Sequence, residues 1–292
     1  MNTASVEELW RFPVKSFAGE KLEEAVFQSD GLLGDRAFAL IEVDTQKVVS
    51  AKNTETYSDL LDCQAEFVIS PRAGEELPPV RITLPDGTQS RSDSADVHQV
   101  LSAYFGVDLR LATVAPSNFT ADQYHPDIEG ADPEGHRDVT VDVKLGSALF
   151  EEMGTESAVP EGSFKDAFPL SVITSSTLNR IKELSPESEL DARRFRMNMV
   201  VSSAQSGFVE NRWVGRRLAV GTAVRIQVEE NDPRCVMITL AQNGLPQDPL
   251  IMETLVEHNR IDLEGGLYPC AGVYASIASP GLVRVGDKLD VP

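Results

Sequence analysis

Asp191-Ala-Arg-Arg-Phe-Arg-Met-Asn-Met-Val-Val201 sets Arg193, Arg194 and Arg196 within four residues and then runs directly into an apolar stretch. Clustered guanidinium groups are held either by carboxylates around a solvated strand face or by a bound anion. The whole chain has 26 Lys+Arg against 46 Asp+Glu, a net charge of −20, so a local cationic cluster goes against its general balance. The apolar tail of the stretch, Met199-Val-Val-Ser202, opens a series of β-prone runs. These are Leu218-Ala-Val220, Ala223-Val-Arg-Ile-Gln-Val228, Val236-Met-Ile-Thr-Leu240, Gly272-Val-Tyr-Ala-Ser-Ile277 and Lys288-Leu-Asp-Val291. Short branched-apolar runs separated by turn residues have the spacing of a β barrel or sandwich. One helix is expected among them, over 249–258.

Working toward the amino terminus, the same texture returns. Ala25-Val-Phe27, Ala37 to Val43 and Lys47-Val-Val-Ser50 read as strands, and Glu75 to Arg91 as a hairpin about Pro85-Asp-Gly87. Helices are expected over Ser94–Phe105, where Val97, Val100, Leu101 and Tyr104 recur at helical spacing, and from Ser175 to Leu184, with Ser175 or Ser176 as the cap. Residues 114–138 are rich in Pro, Asp, Gly and His without periodicity and read as a long surface loop between domains. The expectation is a mostly β protein with a few helices, in two parts (1–115 and 116–292), with its site in the cleft between them.

Composition removes several function classes. At 292 residues with 41% hydrophobic content, the chain can bury a sizeable core. Its acidity argues against nucleic acid, or an anionic membrane, as a partner held by a bulk basic field. No run approaches 18 apolar residues, and Met1 to Leu9 lacks the basic start and apolar run of a signal peptide. Three cysteines, Cys63, Cys235 and Cys270, show neither a disulfide framework nor zinc-cage spacing, so reduced thiols in a cytoplasm are expected. The four histidines show no HxxxH spacing, and no histidine metal site is expected; His125 and His136 share the long loop.

Within Asn231-Asp-Pro-Arg-Cys-Val-Met-Ile-Thr239, Cys235 directly follows an arginine. A cation beside a thiol favours the thiolate, the form that attacks electrophiles and binds soft metals. The bland alternative is a small buried hydrophobe, which also describes Cys63 and Cys270. The apolar run after Cys235 places it at the start of a strand, just past a proline-containing loop.

Four motifs together resemble the MOSC domain, the molybdenum-cofactor sulfurase C-terminal domain. They are the Arg-Phe-Arg-x-Asn signature within 191–201, Trp213-Val-Gly-Arg-Arg-Leu-Ala-Val-Gly221, Arg234-Cys-Val-Met-Ile-Thr239 and the closing Pro280-Gly-Leu-Val-Arg-Val-Gly-Asp287. Arg11-Phe-Pro-Val-Lys-Ser16 and Gly31-Leu-Leu-Gly-Asp-Arg36 resemble the β-barrel domain that precedes MOSC in the mitochondrial amidoxime-reducing component and its bacterial relatives. The resemblance covers about residues 7–70 and 165–292 and implies a molybdenum cofactor, a pyranopterin whose dithiolene holds the metal. Cys235 would be the metal ligand and the catalytic centre, with Arg234 its cationic neighbour. Lys15, Ser16 and Arg36 would hold the phosphate end or the pterin. Thr174 and Ser175 fall where the family has a cofactor-contacting serine segment. Arg194, Arg196 and Asn198 fall on the Arg-Phe-Arg-x-Asn motif and would touch pterin or phosphate. That division suits the chemistry: a thiolate suits a soft metal, guanidinium and ammonium groups suit a phosphate, and an amide suits a ring edge that donates and accepts.

The resemblance implies reduction of an N-hydroxylated small molecule, with electrons from a separate ferredoxin-, flavoprotein- or cytochrome-type donor, because no cysteine-rich redox tail follows in the sequence. One departure bears on the substrate. Amidoxime reducers carry an acidic doublet after the cysteine, and this chain reads Ile238-Thr-Leu-Ala-Gln-Asn-Gly244 there. Taken without the family, Arg193–Arg196 reads as a solvated face and Lys15-Ser16 as an exposed turn. A sulfur or cofactor carrier using a persulfide on Cys235, or a binding protein that keeps only the fold, remain the alternatives.

Overall fold

A computed structural model of the chain describes residues 3–291. Seven strands close into a barrel. They are β1 (Thr3–Arg11), β2 (Leu170–Thr174), β3 (Met199–Val201), β4 (Arg217–Val220), β5 (Val224–Pro233), β6 (Gly266–Ser279) and β7 (Lys288–Asp290). Their order is β2-β3-β1-β7-β4-β5-β6, and pairing of β6 with β2 closes the ring. Closure leaves the seven strands no free edge to pair with another chain. β1 comes from the amino-terminal end of the chain, pairing with β3 on one side and β7 on the other, so the barrel draws on both ends of the sequence.

The residue pattern explains the barrel wall. Along β5, Val224, Ile226 and Val228 are buried while Arg225 and Gln227 are partly exposed, the period of two expected for one core-facing side. With Val6, Leu9, Val172, Val201, Leu218, Val273 and Leu289 they form one apolar cluster. β2 is buried along its whole length. Its pairing with β3 is parallel, and the crossover between them runs through α3 (Ser175–Leu184), after α1 (Val97–Phe105) and α2 (Ser147–Met153) in chain order. α3 and α4 (Leu250–His258) cover the outer side, where Ile181, Met252 and Leu255 share an apolar cluster with Ile173 of β2. At the β2–β6 closure Gly272 sits at φ +85°, and a Cβ there would lie 2.4 Å from Met197 Cε and 2.7 Å from the Val172 carbonyl oxygen. Only glycine fits.

Outside the barrel lie small two- and three-stranded sheets. Ala39–Glu42 pairs with Leu109–Ala112, and Gln64–Phe67 leads Val80–Thr83 and Gln89–Arg91, the expected hairpin. Among the described residues no helix is long and apolar enough to cross a membrane.

Four local readings are corrected. Lys47-Val-Val-Ser50 is not a strand: only Val48 bridges, to Ile41. Val236–Thr239 is a 3-10 turn and not a strand, so Cys235 follows the end of β5 instead of opening a strand. The stretch 114–138 is not one loop: Thr120–His125 pairs with Val139–Lys144, leaving a hairpin loop between them. α3 is capped by Thr174, whose Oγ1 accepts from the Thr177 N–H at 3.1 Å, and not by Ser175 or Ser176. After the 3-10 turn the chain reverses at Asn243-Gly244, with φ of +51° and +78° and a bridge from Gln242 to Leu245.

Candidate functional site

A cleft of about 330 Å³ opens where β5, the Phe12–Ser16 and Asp35–Arg36 segments, and residues 165–171 converge. Seven of the residues singled out in the sequence line it: Lys15, Ser16, Arg36, Arg196, Asn198, Arg234 and Cys235. Lys15 and Ser16 lie 180 positions and more from Arg196, and the barrel brings them together because β1 pairs with β3.

Three backbones here are forced. Ser16, Arg36 and Arg196 have φ of +65°, +49° and +54°. For non-glycine residues that conformation costs on the order of 1–3 kcal/mol and persists where surrounding contacts impose it. Those contacts are visible. Ser16 Oγ accepts from the Ala51 N–H at 3.1 Å. The Arg36 guanidinium donates to Asp35 Oδ2 at 2.6 Å and to the Arg196 carbonyl at 3.1 Å. Asp35 in turn accepts from the Phe12 N–H at 2.9 Å. The Arg36 and Arg196 head groups both lie over the Phe12 ring, 4.5 and 4.4 Å from its centre. Burial, with Arg36 beside it, brings Arg196 down to about 9. Two like charges packed on one ring favour a bound anion.

Lys15 and Lys52, both buried, converge on Asp166, whose Oδ2 lies 3.0 Å from Lys52 Nζ. Burial alone would raise the Asp166 carboxyl, but the two ammonium groups outweigh it and hold the group below the usual carboxylate range. Lys165, also in the cleft, is lowered by burial. Across the cleft Arg234 donates to Asp232 Oδ2 at 2.5 Å and to the Phe195 carbonyl at 2.7 Å. Burial pushes Asp232 up to about 6 against the opposing pull of Arg234. Asp232 Oδ1 and Arg234 Nε are buried without a hydrogen-bond partner among the described residues, two orphaned polar atoms beside Cys235. Cys235 itself is half-buried and opens on the cleft, whereas Cys63 and Cys270 are fully buried and raised by burial to about 12.

Asn198 is held from both ends. Its Oδ1 accepts from the Ser171 N–H at 3.2 Å and its Nδ2 donates to the Trp10 carbonyl at 3.3 Å, locking β1, β2 and β3 at the cleft wall.

Three expected contacts are not brought to the cleft. Arg194 is completely buried elsewhere, donating to the carbonyls of Glu189, Leu240 and Pro246 at 3.0, 3.0 and 2.6 Å. The 3-10 turn Ala192–Phe195 sends Arg194 and Arg196 in different directions. Thr174 is consumed by its cap and by Glu210, to which its hydroxyl donates at 2.6 Å. Ser175 opens α3 and is not among the residues that line the cleft. Arg193 pairs with Asp191 on the surface, as a solvated face would. Missed from the sequence were Lys52, Lys165, Asp166 and Tyr274, all of which line the cleft. Only the Gly-Asp-Arg context of Arg36 pointed to Asp35; Lys165-Asp166 carries no local signal.

The residue set suits an anion held beside a soft metal. Six basic side chains (Lys15, Arg36, Lys52, Lys165, Arg196 and Arg234) face five acidic ones, in a chain whose overall ratio is 26 to 46. The one cysteine in the cleft supplies the soft donor, and the orphaned atoms of Asp232 and Arg234 remain available to a bound molecule.

Comparison with known proteins follows the same lines. The MOSC domain matches residues 160–290, and the MOSC N-terminal beta barrel domain matches residues 3–57. Mitochondrial amidoxime reducing component 2 of Bos taurus is 23% identical over 296 residues, covering 98% of this chain and 82% of that protein. Among solved structures, the YUAD protein from Bacillus subtilis aligns over 99% of this chain and 97% of its own at 12% identity and a TM-score of 0.44. YiiM from Geobacillus stearothermophilus aligns over 41% and 52% at 16% identity, with a TM-score of 0.30. The matched stretches contain all seven barrel strands and most of the cleft lining, and the chain carries a MOSC domain with a MOSC N-terminal beta barrel domain ahead of it.

Proposed function

We propose that the chain is a molybdenum-cofactor-binding oxidoreductase that reduces N-hydroxylated or other N-oxygenated compounds. The observation that supports it most is the half-buried Cys235 thiol in a cleft enriched in basic side chains. In this reading Cys235 Sγ is the soft protein ligand. Lys15, Lys52, Arg36 and Arg196 hold the phosphate end, with Ser16 as a hydroxyl donor, and Asn198 fixes the barrel wall against the ring. Arg234, anchored by Asp232, sets the position of the cysteine. The cofactor, when bound and reduced, would supply two electrons to the substrate and a place for the oxygen atom removed from it.

Net reduction breaks the substrate N–O bond, consumes two electrons and two protons, and releases water. The electrons come from a separate redox partner of ferredoxin, flavoprotein or cytochrome type. Asp232, buried in the cleft wall and raised to about 6, is a carboxyl that takes up a proton as pH falls toward 6, and in this reading it relays protons to the reaction.

The test is amidine formation from an aryl amidoxime, with a chemically reduced viologen as donor. The full chain would be purified from a host that makes the cofactor. Turnover that tracks molybdenum content and falls to background in Cys235→Ser is expected. Equal turnover in Cys235→Ser, or turnover in molybdenum-free protein, contradicts the proposal.

A further inference from the structure

His125, Asp132 and His136 gather at the cleft in a cluster that the cofactor reading leaves unused. Their sequence spacing hides it, because eleven positions separate the two histidines and only the hairpin brings them together. His125 ends the strand Thr120–His125, and His136 lies just before the returning strand Val139–Lys144. Asp132 occupies the loop between. That loop is tied down: Ile128 and Ala131 pack on the core beside α4, and the His136 N–H donates to Asp132 Oδ2 at 2.9 Å.

The two imidazoles, 5.2 Å apart between ring centres, both present Nδ1 to the one carboxylate. His136 Nδ1 lies 2.8 Å from Asp132 Oδ2, and His125 Nδ1 lies 3.7 Å from Oδ1. The donor atoms of all three residues fall within 4.8 Å of one another. Ligands about 2.0–2.1 Å from a tetrahedral zinc ion stand roughly 3.4 Å apart, so these separations need only small side-chain rotations to meet one. An outer shell is also present. The Gln123 amide lies 3.2 Å from His125 Nε2, and with its oxygen turned inward it accepts the Nε2–H that an Nδ1-bound imidazole carries.

We propose that His125, Asp132 and His136 bind a divalent transition-metal ion of the zinc class, separate from Cys235. Two imidazoles and a carboxylate suit zinc or ferrous ions and disfavour magnesium and calcium, which take oxygen donors. Three protein ligands leave a further position, as in catalytic zinc sites. Because His125 and Asp132 line the cleft, that position is open to water or to an oxygen atom of a molecule bound there. The site does not depend on the molybdenum reading.

Cobalt(II) titration of the full chain, stripped of adventitious metal and followed by visible absorption, tests it. Wild type and Cys235→Ser should each bind one equivalent without a thiolate-to-cobalt band, and zinc should displace it while magnesium does not. Affinity should fall by roughly tenfold or more in His136→Ala and in Asp132→Asn, the least expected from losing a direct ligand. His136 is partly exposed, so its variant should stay folded by circular dichroism. The proposal is overturned by any of three results: no saturable absorption at millimolar cobalt, a thiolate band that disappears in Cys235→Ser, or unchanged affinity in both ligand variants.

Discussion

At the residue scale the site is defined by buried charges whose partners are themselves in the cleft. Asp232 shows which force wins. Arg234 lies 2.5 Å from it, yet burial raises the carboxyl to about 6. An acid raised in the folded state binds more protons there than in the unfolded chain between its two pKa values. Asp232 therefore lowers stability progressively as pH rises from about 4 to about 6, by roughly 3 kcal/mol in all. Urea unfolding of wild type and Asp232→Asn at pH 4.5 and pH 7 isolates this contribution. The wild type should lose stability relative to the variant at the higher pH, and an unchanged difference would refute it. Single residues were legible in the sequence where the chemistry is distinctive. Cys235, Arg234, Arg36 and the Lys15-Ser16 pair all reach the cleft. Lys52 and Asp166 were not legible, because a lysine or aspartate in a loop looks the same whether it faces solvent or a buried partner 114 positions away.

At the element scale five of the seven barrel strands were readable, whereas Thr3–Arg11, Leu170–Thr174 and the turns that aim side chains were not. Period-two alternation marks β5, while β2, Leu170-Ser-Val-Ile-Thr174, is buried throughout and shows no alternation. Val236-Met-Ile-Thr reads as a strand by composition, but the Arg194 guanidinium donates to the Ile238 and Leu240 carbonyls at 3.5 and 3.0 Å, and the segment coils into a 3-10 turn. Arg194 therefore acts as a clamp between the Ala192–Phe195 turn and the 238–246 loop. Arg194→Ala should lower the unfolding free energy by about 3–5 kcal/mol, since three part-buried carbonyls lose their donor and a cavity opens where the fully buried side chain sat. Chemical denaturation measures it. A change under about 1 kcal/mol, with selective loss of cofactor binding, would restore Arg194 to the site.

At the scale of the whole molecule, function follows from a topology that no local pattern announces. β1 pairs with β3 and β7, and that brings Lys15, Ser16 and Arg36 into one cleft with Arg196 and Cys235. Motif order along the chain pointed to the family, but only closure of the barrel shows which motif residues share a cleft. It separates Thr174, Ser175 and Arg194 from the rest and adds the His125–Asp132–His136 cluster. The central claim is that this cleft holds a molybdenum cofactor with Cys235 on the metal and basic side chains on the anionic end. Molybdenum and pterin content per chain, in wild type and Cys235→Ala from a cofactor-producing host, tests it most directly. The account predicts near-stoichiometric molybdenum and pterin in the wild type, with molybdenum lost or labile in the variant while pterin is retained through Lys15, Lys52, Arg36 and Arg196. A folded wild-type protein carrying neither molybdenum nor pterin, or a variant that keeps molybdenum at the wild-type level, would contradict it.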